Sequence, residues 1–161
     1  PPPHPPLSAP RAIRRGRMRV AAIIVAAGRG ERATGRPDKV LQMLGGRSVL
    51  RRSVKPFVVE PRVAEIVIVT PAGREAEYQN AAFPSGLPER MKVTAVAGGA
   101  RRQDSVEAGL RAVSSDVHLV AVHDAARPLH RGDVLSRLID RAGLDGAAVP
   151  APSPAGPSAR A

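Results

Sequence analysis

Residues 20–39 read VAAIIVAAGRGERATGRPDK, an apolar run from Val20 to Ala27 that breaks into small residues and glycines and ends at Lys39. A strand that runs out into alanine and glycine lets backbone N–H groups approach a phosphate closely, because no side chain stands between them. Arg32 and Lys39 bring fixed positive charge to the same loop. The combination reads as a loop for a nucleoside triphosphate. Gly28, Gly30 and Ala33 formally satisfy GxGxxG/A, yet a dinucleotide site also needs an acidic residue about 20 positions on, at the end of the next strand. The next convincing strand, Glu65 to Val69, ends in Thr70-Pro71-Ala72 and offers none. The phosphate loop GxxxxGK(S/T) fails as well, since Arg36-Pro37 follows Gly35 where lysine and a hydroxyl should stand. On this loop alone, an ordinary strand-to-helix turn with surface arginines remains the alternative.

A chain of 161 residues with 43% hydrophobic content is sized for one domain with a core of its own. Aromatic residues make up only 2%, so that core must be built from Val, Ile, Leu and Ala, which suits a sheet covered by helices on both faces. The formal charge is +11, and four of the arginines, Arg11, Arg14, Arg15 and Arg17, lie in the first seventeen residues. Such an excess favours anionic partners without choosing among them. The stacking aromatics of single-strand and RNA binders are almost absent, so charge alone supports a nucleic-acid role poorly. There is no cysteine, which excludes disulfides, thiolate metal sites and cysteine nucleophiles and is compatible with the cytoplasm. Arg14 to Arg19 followed by Val20 to Ala27 has the outline of a signal peptide, but the glycine loop that follows makes the run a better buried strand. No run approaches the 18 or so apolar residues of a membrane span.

Residues 1–17 are Pro- and Arg-rich without apolar periodicity and are expected to be a disordered tail. Met18 is the expected start of a domain over 18–150. Strands are predicted at Val20 to Ala26, Glu65 to Val69, Lys92 to Ala97, His118 to His123 and Ala147 to Pro150. Helices are predicted at Ser48 to Val58, Arg74 to Ala82, Gln103 to Val113 and Asp133 to Ala142, with Ser48 and Asp133 as N-caps. Strand and helix in alternation imply parallel crossovers and a doubly wound sheet, whose ligands bind beyond the carboxyl ends of the strands.

Two further loops leave strands with the right chemistry. Gly98-Gly99-Ala-Arg-Arg-Gln-Asp-Ser105 opens a helix whose N-terminal N–H groups face an acceptor, although Asp104 or Ser105 would serve equally as a plain cap. Val122-His123-Asp124-Ala125-Ala126-Arg127-Pro128 places a carboxylate at a buried strand end, fit for a magnesium–phosphate group or a sugar hydroxyl, and an arginine able to clamp phosphate. An Asp124–Arg127 turn salt bridge is the plainer reading. His123 has no second histidine or cysteine beside it and reads as structural.

Taken together, AAGRGER with Lys39, GGARRQDSV and VHDAARP resemble the 2-C-methyl-D-erythritol 4-phosphate cytidylyltransferases of non-mevalonate isoprenoid biosynthesis. The resemblance runs from about Met18 to Pro150, and VHDAARP is its most specific element. It implies an α/β, Rossmann-like, doubly wound and mostly parallel sheet of the nucleotide-diphospho-sugar transferase type. It also implies transfer of CMP from CTP to methylerythritol phosphate with release of pyrophosphate. Ala26, Ala27, Gly28 and Gly30 would line the CTP phosphates and base, and Arg32 and Lys39 would be the catalytic cations at the α-phosphorus. Gly99, Arg102 and Ser105 would bind cytidine. Asp124 and Arg127 would hold ribose, Mg2+ or the acceptor, with Asp124 the metal ligand. The partners implied are small molecules and a second subunit, not nucleic acid or membrane. Enzymes that activate ribitol 5-phosphate with CTP are the nearest competitors.

The match stops after Ala147-Ala148-Val149-Pro150. The family continues into another strand, a dimer-exchanging arm and a last segment with a lysine, whereas residues 151–161 read APSPAGPSARA. A Pro/Ala/Ser tail of this kind is expected to be disordered. The chain is therefore expected to be C-terminally incomplete, and an inactive nucleotide-binding remnant is the third reading.

Overall fold

The computed structural model describes residues 18–28, 38–128 and 132–151. Along them run β1 (Val20–Val25), β2 (Met43–Leu44), β3 (Arg47–Ser48), α1 (Val49–Val59), β4 (Val63–Thr70), α2 (Glu75–Ala82), β5 (Lys92–Ala97), α3 (Arg102–Ala112), β6 (Leu119–Asp124) and α4 (Gly132–Asp145). Four strands form one parallel sheet in the order β5-β4-β1-β6. From β1 the chain builds outward through β4 to β5, then returns to place β6 on the other flank of β1. The reversal leaves a crevice at the carboxyl ends of β1 and β6, where an open α/β sheet holds its ligands.

The period-two alternation of β1 explains the layers. Val20, Ala22 and Ile24 face one side, where Leu50, Val54 and Phe57 of α1, Tyr78 and Ala82 of α2, and Leu135 and Ile139 of α4 close the core. Ile23, with Val67 and Val69 of β4, faces the other side, with Ala112 and Val113 at the end of α3. Gly109 lets α3 lie directly on the sheet, since a Cβ there would stand 2.6 Å from Ile23 Cγ2 and 3.1 Å from Val69 Cγ2. The doubly wound sheet expected from the sequence is the one observed.

Two charged clusters fasten the end of the sheet away from the crevice. Glu60, 6% exposed, accepts from Arg62 Nε at 2.7 Å and from the Ser136 hydroxyl, while Arg62 Nη1 reaches Asp140 at 2.6 Å. The Arg62 hydrogen bond, opposed by burial and helped by Ser136, holds the Glu60 carboxyl down at about 2. Glu65, buried within β4, lies 2.9 Å from Lys92 Nζ on β5 and accepts the Ser114 N–H at 3.1 Å. Burial pushes its carboxyl up, and these partners outweigh burial to hold it below the usual range.

β5 spans the predicted residues, and the other elements differ from prediction at their ends. Ser48 is the N-cap of α1, accepting the Arg51 N–H at 3.1 Å and donating to the Ala81 carbonyl at 2.9 Å. Asp133 is not a cap, because α4 already begins at Gly132, and its carboxylate sits in the first turn where the helix dipole favours it. Ala147 to Pro150 is not a strand. After Gly146 turns the chain at φ 86°, this run pairs with no described strand, Val149 is 83% exposed, and Pro150 lacks a ladder donor. The β2–β3 hairpin was not predicted; its two-residue turn, Gly45-Gly46, takes φ of 54° and 73°, the mirror-image conformation that suits hairpin twist. The expected tails over 1–17 and 151–161, Ala151 apart, and the loop residues Gly30 and Arg32, lie outside the described residues.

Candidate active site

Three strand exits meet at one level of the sheet. The Ala26 N–H donates to the Val69 carbonyl at 2.8 Å, the Ala125 N–H to Val25 at 3.0 Å and the Gly98 N–H to Thr70 at 2.8 Å. Hydrogen bonding thus continues one residue past the strands before each loop departs. In this register Val25 stands opposite Asp124, so the first glycine loop and the VHDAARP loop leave side by side.

Gly98 brings the first two loops into contact. A Cβ on it would lie 2.4 Å from Ala27 Cβ and 2.7 Å from Ser105 Oγ, so only glycine allows this approach. Gly28 differs, with nothing among the described residues within 4 Å of the corresponding position. Ser105 is buried; its hydroxyl accepts the Gly99 N–H at 3.2 Å and donates to the Arg101 carbonyl at 3.2 Å. The serine therefore shapes the Gly99 turn. Asp104, in the first turn of α3, accepts the Arg101 N–H at 3.1 Å, and the Arg101 side chain lowers its carboxyl below the ordinary range.

Arg102 joins the second loop to the third, with Nη2 2.8 Å and Nε 3.2 Å from Asp124 Oδ1. Arg127 approaches the other carboxylate oxygen at 3.4 Å from its Nε, and its N–H donates to the Asp124 carbonyl at 3.0 Å. The turn salt bridge foreseen for Asp124 and Arg127 is present, and Arg102 adds a second cation that the sequence did not announce. From below, the buried Ser53 hydroxyl of α1 donates to the Ala125 carbonyl at 2.7 Å. His123 packs its ring 5.4 Å from Phe57 and places Nε2 3.2 Å from the Arg127 carbonyl, the structural role expected of it. Arg102, Val122, His123, Asp124, Arg127 and Pro150 line a cavity of about 510 Å3 at this place.

Lys39 is exposed and begins the chain's return toward α1. Its neighbour Asp38 is clamped from α2: the Tyr78 hydroxyl donates to Asp38 Oδ2 at 2.9 Å, and Arg74 Nη1 donates to the same oxygen. Arg74 also stacks 5.3 Å from the Tyr78 ring centre and bonds Glu77 at 2.7 Å. Burial, then the Asp38 hydrogen bond, raises the Tyr78 hydroxyl far above its usual range and keeps it a donor. Ser53, Asp38, Arg74 and Tyr78 were not foreseen as site-supporting residues.

No group of three or more metal-binding side chains occurs among the described residues. Asp124 is the single carboxylate lining the cavity among the described residues. One carboxylate suits Mg2+ that arrives with a triphosphate and keeps phosphate oxygens and water as its other ligands.

The 2-C-methyl-D-erythritol 4-phosphate cytidylyltransferase family, IspD, has a sequence profile that matches residues 20–154. The chain belongs to this family. The bifunctional IspD/IspF enzyme of Rhodopseudomonas palustris strain HaA2 is 45% identical over 133 residues, covering 82% of this chain and 32% of the relative. The 2-C-methyl-D-erythritol 4-phosphate cytidylyltransferase of Streptomyces coelicolor is 40% identical over 126 residues, covering 78% of this chain and 47% of the relative. The crystal structure of 4-diphosphocytidyl-2C-methyl-D-erythritol synthase from Anaerococcus prevotii has the same fold, with a TM-score of 0.64 at 22% identity, over 80% of this chain and 52% of that one. This chain thus spans about a third to a half of these proteins. The family profile includes all three loops, from Ala26 through Gly99 to Asp124 and Arg127.

Proposed function

We propose that this chain carries the nucleotide-binding part of a cytidylyltransferase that transfers CMP from CTP to 2-C-methyl-D-erythritol 4-phosphate. The observation that carries the reading is the bridge between Arg102 and Asp124, which draws two loops of an IspD-family sheet together beside the backbone at Gly28. An acceptor phosphate oxygen attacks the α-phosphorus of CTP in line, a new P–O bond forms, the α–β bridge breaks, and pyrophosphate leaves. The reaction asks the protein for position and positive charge more than for covalent help.

In this reading Ala26, Ala27 and Gly28 present backbone to the nucleotide, with Gly30 beyond them in the same loop. Arg32 and Lys39 offset charge at the α-phosphorus. Gly99 and Arg102 contact cytidine, Ser105 holds the Gly99 turn for it, and Arg127 receives phosphate or acceptor. Asp124 holds ribose or Mg2+, which when bound supplies charge neutralisation at the triphosphate. The family resemblance adds a cytoplasmic homodimer to the reading. No helix among the described residues is long and apolar enough to cross a membrane.

Calorimetric titration of CTP with magnesium, with ATP and GTP as controls, tests the first half. Pyrophosphate release with methylerythritol phosphate, against ribitol 5-phosphate, tests the second. Selective CTP binding with release only for the first acceptor is the expected result. CTP binding without release from either acceptor would leave a nucleotide-binding remnant, and no nucleotide preference would overturn the reading.

A further inference from the structure

Outside this cleft, a second cavity of about 560 Å3 follows the outer face of α1 and the segment after α2. Arg47, Arg51 and Lys55 line it along the first turns of α1, Val58 and Val59 follow at the end of the helix, and Phe83 joins them from the segment after α2. Among the described residues, Pro128 is the one lining residue it shares with the cleft.

Most cations elsewhere among the described residues face a carboxylate, and Arg52 and Arg90 hold backbone carbonyls. Arg62, Arg74, Arg101, Arg102, Arg111 and Arg141 each pair with a carboxylate at 2.5–2.8 Å. Among the described residues, Arg47, Arg51 and Lys55 pair with none, and α1 contains no acidic residue. Arg51 and Lys55 lie one helical turn apart, where like charges repel, and Arg51 sits in the first turn, where the helix dipole disfavours a cation. An anion seated between them would relieve both penalties. Beyond Lys55 the stripe turns apolar, and Val59 is 62% exposed. From Arg51 to Val59 is about 12 Å along the helix, so charge and apolar surface are segregated over the length of a small molecule. The volume also lies within the range of small-ligand sites.

We infer that this groove binds a free amphiphilic anion, with a phosphate or carboxylate head between Arg51 and Lys55 and an apolar body over Val58 and Val59. The inference stands independently of the proposed transferase activity.

Octyl phosphate is the probe, titrated calorimetrically into the full chain beside inorganic phosphate, octanol and phosphatidylglycerol vesicles. Saturable binding of one octyl phosphate is expected, with inorganic phosphate and octanol each weaker by about tenfold or more. Arg51→Gln/Lys55→Gln weakens octyl phosphate about tenfold without lowering the melting temperature. Val59→Asp weakens octyl phosphate and leaves inorganic phosphate unchanged. Arg137→Gln/Arg141→Gln, on α4, changes neither. Octanol binding as well as octyl phosphate, or the α4 variant losing as much as the α1 variant, would overturn the inference. So would vesicle binding without binding of free octyl phosphate, which would make the groove a membrane-facing surface instead.

Discussion

Arg102, at the first turn of α3, lies 2.8 Å from Asp124 at the end of β6, closing the cleft with a pair whose arginine is 64% exposed. An exposed pair of this kind is worth at most about 1 kcal/mol, so an arriving polyanion or cation can part it readily. In the nucleotide-bound state Arg102 and Asp124 are expected to turn to different ligand atoms. Arg102→Ala should then lower CTP affinity by about tenfold or more, because a charged hydrogen bond to ligand exceeds the pair it replaces. Calorimetry reads this directly; unchanged affinity would remove Arg102 from the site.

Lys39→Ala should leave the melting temperature within a degree or so of wild type, since the side chain is exposed, and abolish pyrophosphate release in a chain that shows it. Retained release would refute the catalytic role.

Gly98→Ala should destabilise the fold by about 1–3 kcal/mol and weaken CTP binding with it, because the new methyl would collide with Ala27 Cβ at 2.4 Å and force two loops apart. Gly28→Ala meets nothing within 4 Å among the described residues, so its stability cost should be small and its effect confined to ligand. Urea denaturation beside CTP titration separates the two outcomes.

Ser53→Ala should cost about 1–3 kcal/mol, since it strands the Ala125 carbonyl in a buried position. Amide exchange should rise first over residues 124–127, before the rest of β6. Uniform acceleration across the sheet would mean that Ser53 supports the core in general and the loop only incidentally.

Acid stability should follow Glu60. Its folded carboxyl titrates near 2, below the ordinary 4.5, so it stabilises the fold above pH 4.5 and loses that contribution as pH falls toward 2. The amount at neutral pH is on the order of 3 kcal/mol. Denaturant titrations at pH 7 and pH 3 should show wild type losing more stability than Glu60→Gln, whose side chain does not titrate.

The sheet and its layers were legible because they rest on local signals: the apolar alternation of β1, the Ser48 cap, and the periodic face of α4. The spacing of Val106, Leu110 and Val113 predicted α3 as a helix, but Leu110 is 47% exposed and Ser105 and Gly109 are the buried side. The convergence of three loops was legible for a related reason, since a parallel sheet brings every strand exit to one edge. Ala147 to Pro150 was misread because its small apolar residues resemble a strand, while pairing depends on a neighbour that local sequence does not display. Gly45-Gly46 carried a hairpin signal in plain view, but with only two residues on each side no alternation surrounded it. The supporting contacts were hidden by distance along the chain: Ser53 to Ala125 spans 72 residues, Tyr78 to Asp38 40, and Arg74 to Asp38 36. Nothing in a local window distinguishes those residues from any serine, tyrosine or arginine.

The strand order has a temporal side. β1 sits between β4 and β6, and beside its first residue the Arg19 N–H reaches a histidine 99 positions further on. During synthesis the central strand therefore waits with one flank unpaired while nearly a hundred residues are added, a long-range closure of the kind that slows folding. Because Val25 and Asp124 share the last rung of that late pairing, the cleft is complete only when the sheet is. A ligand held there would recognise finished molecules and hold them finished.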